Sequence, residues 1–549
     1  MIRTKAVTLA SCLLLAVGCQ PEPEAEAGGI DGAVDLISEA ALRAHIAYLA
    51  SDELEGREAG KPGYDKAARY VAEQFAAMGL EPAGDDGWYQ QVPLVSYQVE
   101  EGSAAMTLHR GEAGVTLAYR DEFAVSGDPL REETEVRAEV VYVGHGAHIP
   151  EIGYSDYDGV DVAGKIVAAF GDAPESLETT MRAHYASSDL KRLEAVSRGA
   201  VGYIRLRSRE DETKYPWAKF KDRIGKRSSM TWFDSEGNAA SYSPELLVRG
   251  GISNDAAAKL FEDAPFSFEE VLDALEAGEP YSFALGTEVS MRQASTHQRI
   301  ESPNVIGMIR GSDPELADEY IVYTAHLDHT GVLDKGDEDS IYNGAYDNAM
   351  GIALMLEAAR ALSAVPLSRS VLFVALTAEE KGLLGSEYFA EYPTVPQQAI
   401  VANINIDMPL FLYPIADLVA FGAQHSSLLR PADAAAAAEG FTLAPDPMPE
   451  ENFFIRSDQY SFVKKGVPAL YLDTGLRSTD SDIDTESIYA DHLQNHYHEP
   501  SDDLSRPVDW DSAVRFARAN ARVGFLVSTE AGRPRWNEGD FFGDRFASD

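Results

Sequence analysis

Residues 321–325 (IVYTA) form an uncharged, largely apolar run that predicts a buried strand. Similar runs recur at 304–314 (NVIGMIRGSDP, a strand and turn), 370–380 (SVLFVALTAEE), 400–408 (IVANINIDM) and 467–475 (VPALYLDTG). Helical patterns lie between and after them, over 348–364, 385–392 and 511–528. Apolar strands alternating with helices predict an α/β fold with a mostly parallel sheet covered on both faces. Nearer the N-terminus, 63–80 places Ala67, Ala68, Val71, Phe75 and Met78 at helical spacing, with Gly79 as a stop. The preceding stretch 51–63 (SDELEGREAGKPG) reads as a glycine-rich loop.

Residues 96–297 follow another pattern. Strand-like runs at 136–146, 165–172 and 200–208 surround one clear helix at 189–199. No cluster of histidines and carboxylates stands out, so this segment reads as a β-rich insertion without chemistry. Its five histidines, His109, His145, His148, His184 and His297, read as solvated or core residues. The resulting organisation is a leader at 1–19, a tether at 20–35, a first part of the main domain at 36–95, the insertion at 96–297, the second part at 298–530 and a loose polar tail at 531–549.

The leader has Arg3 and Lys5 before an apolar stretch, 7–17, too short to span a membrane as a mature helix. It ends LAVGC at Cys19, which resembles a bacterial lipobox and predicts an exported protein lipidated at Cys19 and anchored to a membrane through the lipid alone. The other cysteine, Cys12, lies inside the leader. The mature chain therefore has no disulfide or thiol catalyst, and any metal must be held by His, Asp and Glu. Across 549 residues, 46 basic side chains face 90 acidic ones, a net charge of −44. That balance argues against a nucleic-acid partner and fits a highly soluble surface. The acidic stretches 334–339 (DKGDED) and 479–486 (TDSDIDTE) read as solvated loops rather than calcium sites.

The candidate chemistry sits at the predicted strand ends, where ligand crevices of such sheets lie. His326, Asp328 and His329 follow the first run, and Asp347 precedes a helix. The pair Glu379–Glu380 and then Asp407 follow the next two strands, and His498 comes late in the chain. His326, Asp347, Glu380, Asp407 and His498 suit a pair of zinc ions, with Asp347 placed to bridge. Neighbouring glutamates on an extended or turning segment point in different directions, so Glu380 can bind metal while Glu379 faces substrate as a general base.

These motifs together resemble the co-catalytic zinc aminopeptidase and glutamate carboxypeptidase family. The resemblance rests on AHLDH, AYDNAMG, TAEEKGLLGS, NINIDM, RSDQYSFVKKGVPAL and YHEPSDD in order, with SDELEGREAGKPG and NVIGMIRGSDP. Residues 141–167 resemble the protease-associated domain inserted in many members. It implies a three-layer α/β/α exopeptidase fold, peptide substrates and two zinc ions per chain. His326, Asp347 and Asp407 would hold one ion, and Asp347, Glu380 and His498 the other. Asp328 would orient His326, Glu379 would be the base, and Tyr497 would hydrogen-bond the developing oxyanion. Arg456 and Asp458 would line the substrate pocket. Departures from the family pattern fall at Tyr346 and Met350, expected to reshape the wall, and at Gln459, where a histidine is common. An aminopeptidase is the expectation. A carboxypeptidase or glutaminyl cyclase of the same family, or a non-catalytic surface binding protein, are the alternatives.

Overall fold

The computed structural model describes residues 29–111, 113–240, 242–333 and 339–547. Cys19 and most of the acidic stretch 334–339 lie outside them. Four parallel strands form the centre of the main sheet: β1 (Tyr320–His326), β2 (Ser370–Leu376), β3 (Ile400–Asn405) and β4 (Ala469–Thr474). Every residue in them is buried, because both faces are covered. Their order is β2–β1–β3–β4. Antiparallel strands flank them, Ser282–Ile309 beside β2 and Asp417–Phe421 beside β4.

Alternate residues of β1 feed opposite layers. Ile321, Tyr323 and Ala325 join the core beneath helices Pro62–Ala77, Gly351–Ser363 and Trp510–Thr529. Tyr320 and Val322 join a second core with Phe389 of helix Leu384–Glu391 and Phe462 of helix Gln459–Val463. The result is the expected mixed α/β architecture with a large, mostly parallel sheet.

The segment 96–297 has its own hydrophobic core. Its strands Glu133–Val143, Ile166–Phe170, Gly202–Leu206 and Val248–Ile252 pair in parallel, in that order. Among the described residues, paired strands rather than a linker join it to the rest. Strand Tyr89–Val99 runs out of the main domain and Ser282–Ile309 returns antiparallel beside it, paired from Val305↔Tyr89 to Ser295↔Val99. The boundaries read at 96 and 297 therefore fall inside one continuous ribbon.

Two terminal stretches are more ordered than their polarity suggested. Residues 30–34, assigned to the tether, form a helix with Ala33 and Val34 buried. The tail is not loose: Phe541–Phe546 is helical and Phe542 is fully buried. Its aromatics pack on Phe454 and Tyr460, giving the tail an apolar anchor that its many charged residues obscured.

The tail also meets the insertion at His184, 2% exposed, whose Nδ1 shares a hydrogen bond with the Tyr460 hydroxyl. Its ring lies 5.5 Å from that of Phe541 and 5.7 Å from that of Phe546. Burial, then the nearby Arg545, push the His184 pKa down to about 3, with Glu151 opposing and Lys464 adding to the effect. The folded pKa is below the unfolded one, so the stability is present above about pH 6.5 and is lost as pH falls toward 3. Between pH 7.5 and 5 this group should remove about 2 kcal/mol. Denaturant unfolding at the two pH values should show His184→Gln losing less stability than the parent by that amount. Identical losses would remove His184 as the acid-sensitive group.

Candidate active site

The register of the central strands sets the site. His326 closes β1 opposite Leu376 of β2, while Thr324 lies opposite Asn405 of β3. The residues just beyond these ends, Glu379, Glu380 and Asp407, therefore emerge along one rim. Beyond Leu376 the chain leaves the sheet. Ala378 takes a left-handed φ of 53°, and the turn Glu379–Lys381 begins.

The helix expected from 348 begins instead at Gly351, after an irregular turn over Ala345–Met350. Asn348 accounts for the delay. Its side-chain oxygen accepts from the Gly351 and Met408 amides (2.9 and 3.1 Å), and its Nδ2 donates to the Ile406 carbonyl (3.1 Å). Asp347 is thereby turned toward β1 and β3 before the helix starts.

Five side chains named from the sequence converge here. His326 Nε2 lies 3.2 Å from Asp347 Oδ1 and 3.1 Å from Asp407 Oδ1. His498 Nε2 lies 3.1 Å from Asp347 Oδ2 and 3.0 Å from Glu380 Oε2. Asp347 thus presents one oxygen to each histidine. His329 is a sixth member, which the sequence reading left without a role. Fully buried, its Nδ1 sits 2.6 Å from Glu380 Oε1. Among the described residues neither His329 ring nitrogen nor Glu380 Oε1 has a hydrogen-bond partner of suitable geometry. Buried orphan donors and acceptors are costly unless something satisfies them. Two donor sets, His326–Asp347–Asp407 and His329–Asp347–Glu380, each have ligand atoms within 4.8 Å of one another. Imidazole and carboxylate donors sharing one aspartate fit a pair of divalent ions such as zinc.

Further residues hold these groups in place. His326 Nδ1 bonds the backbone carbonyl of Asp328 (3.1 Å), whereas the Asp328 carboxylate is 3.9 Å away. That carboxylate instead accepts the amide N–H groups of Glu379 (3.0 Å) and Glu380 (3.3 Å). Asp328 therefore fixes the glutamate turn with its side chain and His326 with its main chain. Asp502 accepts the amides of Tyr346 and Asp347, both at 3.0 Å. Ser457 donates to Asp407 Oδ2 (2.6 Å).

Arg57, from the stretch read as a loop, is buried between the two ligand segments. It donates to the carbonyls of Leu327 (2.9 Å), Asn343 (2.7 Å), Gly344 (3.0 Å) and Leu49. Asp502, Ser457 and Arg57 all lie inside the recognised motifs. A sequence does not say which neighbour's backbone a side chain will meet.

The two adjacent glutamates occupy opposite environments. Burial disfavours charge on both, but His498 and His329 hold Glu380 well below the usual carboxylate range despite the Asp347 charge. Burial, with Asp407, Asp458 and Glu380 adding to it, pushes Glu379 well above that range, although His326 opposes. Burial works against charge on His326 and His498 as well. Asp407 and Glu379 nevertheless raise His326 well above an ordinary imidazole, and Glu380 with Asp347 lift His498 to about 10.

A cavity of about 110 Å³ opens on His326, Asp347, Glu379 and Asp407, with Arg456, Ser457 and Tyr497 in its wall. The Tyr497 ring stacks on His498 at 3.9 Å between centroids. Tyr215, reaching in from the insertion, is also part of the wall.

Three expected wall residues are elsewhere. Asp458 is fully buried and outside the cavity wall, because Arg456 and Ser457 take the cavity side of the turn before helix Gln459–Val463. Tyr346 points away from the cavity, donating to the Pro507 carbonyl (2.7 Å), and Met350 is packed in the main core. Gln459 is structural: its Oε1 accepts from Asn405 and its Nε2 donates to the Phe454 carbonyl.

Residues 304–524 match the profile of Peptidase family M28. Aminopeptidase NAALADL1 of Mus musculus is 36% identical over 141 residues, covering 24% of this chain and 17% of its own. Aminopeptidase YwaD of Bacillus subtilis (strain 168) is 29% identical over 244 residues, 44% of this chain and 47% of its own. The chain thus spans less than half the length of these curated relatives. The solved aminopeptidase from Aneurinibacillus sp. strain AM-1 shares the fold, with a TM-score of 0.54 at 18% identity over 92% of this chain and 100% of that one. The family match falls on the strands and turns that gather the His and carboxylate cluster, so it is in residues 304–524 that the chain is similar to peptidase family M28, with aminopeptidases among the proteins it resembles.

Proposed function

We propose that the protein is a zinc-dependent exopeptidase that removes N-terminal residues from peptides at a two-zinc centre. One observation carries this reading. Adjacent glutamates diverge, Glu380 toward His329 and His498 and Glu379 into the cavity. That is the arrangement needed for one carboxylate to bind metal and its neighbour to move a proton. The aminopeptidases among the relatives support the choice of substrate end, and the motif over 141–167 supports a protease-associated insertion.

His326, Asp347 and Asp407 would hold one ion, and Asp347, Glu380 and His498 the other, with His329 against Glu380. When bound, such a pair supplies Lewis acidity and lowers the pKa of water. Glu379 takes the proton from the attacking water and returns it to the leaving amine. Tyr497 donates to the developing oxyanion. Burial, with the Asp347 and Glu380 charges, keeps that phenol protonated, its pKa well above the usual 10.

A second reading, a carboxypeptidase, is favoured by Arg456. It lies in the cavity wall with its side chain 48% exposed, in reach of a carboxylate, and among the described residues its one ion pair is with Glu451 at 3.2 Å. Paired substrates separate the two. A peptide with a free N-terminus and an amidated C-terminus should be cleaved, while its N-acetylated, free-acid counterpart should not. Dialysis against a chelator should abolish the cleavage and zinc should restore it. Hydrolysis of the N-acetylated peptide alone would reverse the assignment, and full activity of metal-free protein would sink both readings.

A further inference from the structure

A larger cavity, of about 420 Å³, lies in the inserted unit. It opens beside the strands Ile166–Phe170, Gly202–Leu206 and Val248–Ile252, bounded by the segment that follows Tyr215. Six of its lining residues are cationic: Lys191, Arg192, Arg205, Arg207, Arg227 and Arg249. None is acidic. In a chain of net charge −44, a wall of one positive sign is not the background composition. A cleft lined by one sign of charge concentrates ions of the other.

Some of these cations are neutralised from behind. Arg205 pairs with Asp211 (3.2 Å), Arg207 with Glu212 (3.2 Å) and Arg192 with Asp189. Arg205 folds across the wall at Gly171, where an added Cβ would lie 2.5 Å from its Nε. The other three differ. Lys191 is 2% exposed and donates to the carbonyls of Phe170 (3.0 Å) and Asp172, leaving one of its three protons. Arg249 donates to the Tyr97 hydroxyl (2.8 Å) and the Gly127 carbonyl (3.5 Å), both neutral. Arg227 lies over the ring of Tyr342, 5.7 Å from its centroid. Among the described residues no carboxylate forms an ion pair with Lys191, Arg227 or Arg249. Arg192 and Arg249 also repel each other: burial, then Arg249, push the Arg192 pKa down to about 10. Burial pushes Lys191 down to about 8, although Asp172 and Asp156 oppose this.

Lys191 is buried with no paired carboxylate among the described residues, and half-buried Arg192, though paired with Asp189, also faces the cation Arg249; an anion would offset both costs. Guanidinium forks match carboxylate and phosphate oxygens. The space exceeds what a bare ion needs, and Tyr97, Tyr203, Trp217 and Phe220 give the wall flat apolar surface. We propose that this cavity binds an organic anion, a carboxylate- or phosphate-bearing ligand with an apolar body, through Arg249, Arg192 and Lys191. The ligand is an acidic peptide segment or a small organic phosphate. One hydrogen bond links the pocket to the catalytic cavity: the carbonyl of Tyr215, which lines the latter, accepts from Arg207 of the former.

Calorimetric titration of the full chain tests this without turnover, so its outcome is separate from that of the peptidase reading. The probes are N-acetyl-Phe-Glu amide, its Gln counterpart, phenyl phosphate and inorganic phosphate. The Glu peptide or phenyl phosphate should bind, the Gln peptide should not, and whichever binds identifies the source of the anion. Arg249→Gln should weaken that binding by about 10–100-fold, the worth of one charge-assisted contact, and added salt should weaken it further. Arg192→Gln is the second variant, and thermal unfolding of both checks folding. Binding of inorganic phosphate alone would overturn the organic ligand. No binding at millimolar concentration, or affinity unchanged in both variants, would overturn the site.

Discussion

Glu379→Gln should lower the turnover number by about 10²–10⁴-fold, the usual worth of general acid–base help, with zinc content unchanged. The substitution keeps the shape of the side chain in the cavity wall and removes its ability to take a proton. Glu380→Gln should fail in another way. Its oxygens face His329 at 2.6 Å and His498 at 3.0 Å, and a neutral amide is a poorer ligand than a carboxylate. It should bind zinc more weakly and regain part of its activity when zinc is added, whereas Glu379→Gln should not. Both variants keep the amide N–H groups that Asp328 accepts, so the turn itself should survive. Metal analysis of the purified variants beside their turnover numbers reads the pattern. The reverse pattern would exchange the two roles, and wild-type turnover in both would place the chemistry elsewhere.

Arg57→Ala should destabilise the fold by about 3–5 kcal/mol and weaken zinc binding. Removing the guanidinium strips donors from four buried carbonyls, and each acceptor left unpaired costs about 1–3 kcal/mol, part of which water can offset. Burial lowers the Arg57 pKa to about 10, but Asp347, Asp328, Asp502 and Glu380 work to keep it charged. Three of the four carbonyls belong to the segments that carry His326 and Asp347, so ligand geometry should loosen with them. Arg57→Lys should recover only part, because three protons on one nitrogen cannot reproduce a planar fork. Denaturant unfolding and a zinc titration read the two effects separately. A loss under about 1 kcal/mol would show that water replaces the guanidinium at little cost.

Much of this follows from chain pattern alone. The uncharged runs at 321–325 and 370–376 are long enough for a sheet and too apolar for a surface, so their burial was legible. So was the position of His326, Glu379, Glu380 and Asp407 at or just past strand ends, since parallel strands bring their C-terminal ends to one rim. Helix limits were less legible. The turn at 345–350 replaces a regular start because Asn348 bonds Met408 and Ile406 on another strand connection. The tail was misread because its charges outnumber its aromatics, and Phe542 is anchored on Phe454 and Tyr460, which are far away in sequence.

The sequence by itself determined the alternation of strands and helices, the confinement of both cysteines to positions 12 and 19, and a set of histidines and carboxylates at the right strand ends. These depend on local periodicity and residue type, which one chain displays. Tertiary structure alone decided that His329 joins Glu380, that the Asp328 carboxylate serves the glutamate turn, and that Asp458 and Tyr346 face away from the cavity. It alone gathered Lys191, Arg192 and Arg249 into one basic cavity within an acidic protein. Each of these depends on which distant backbone or side chain a group meets, and long-range packing sets that.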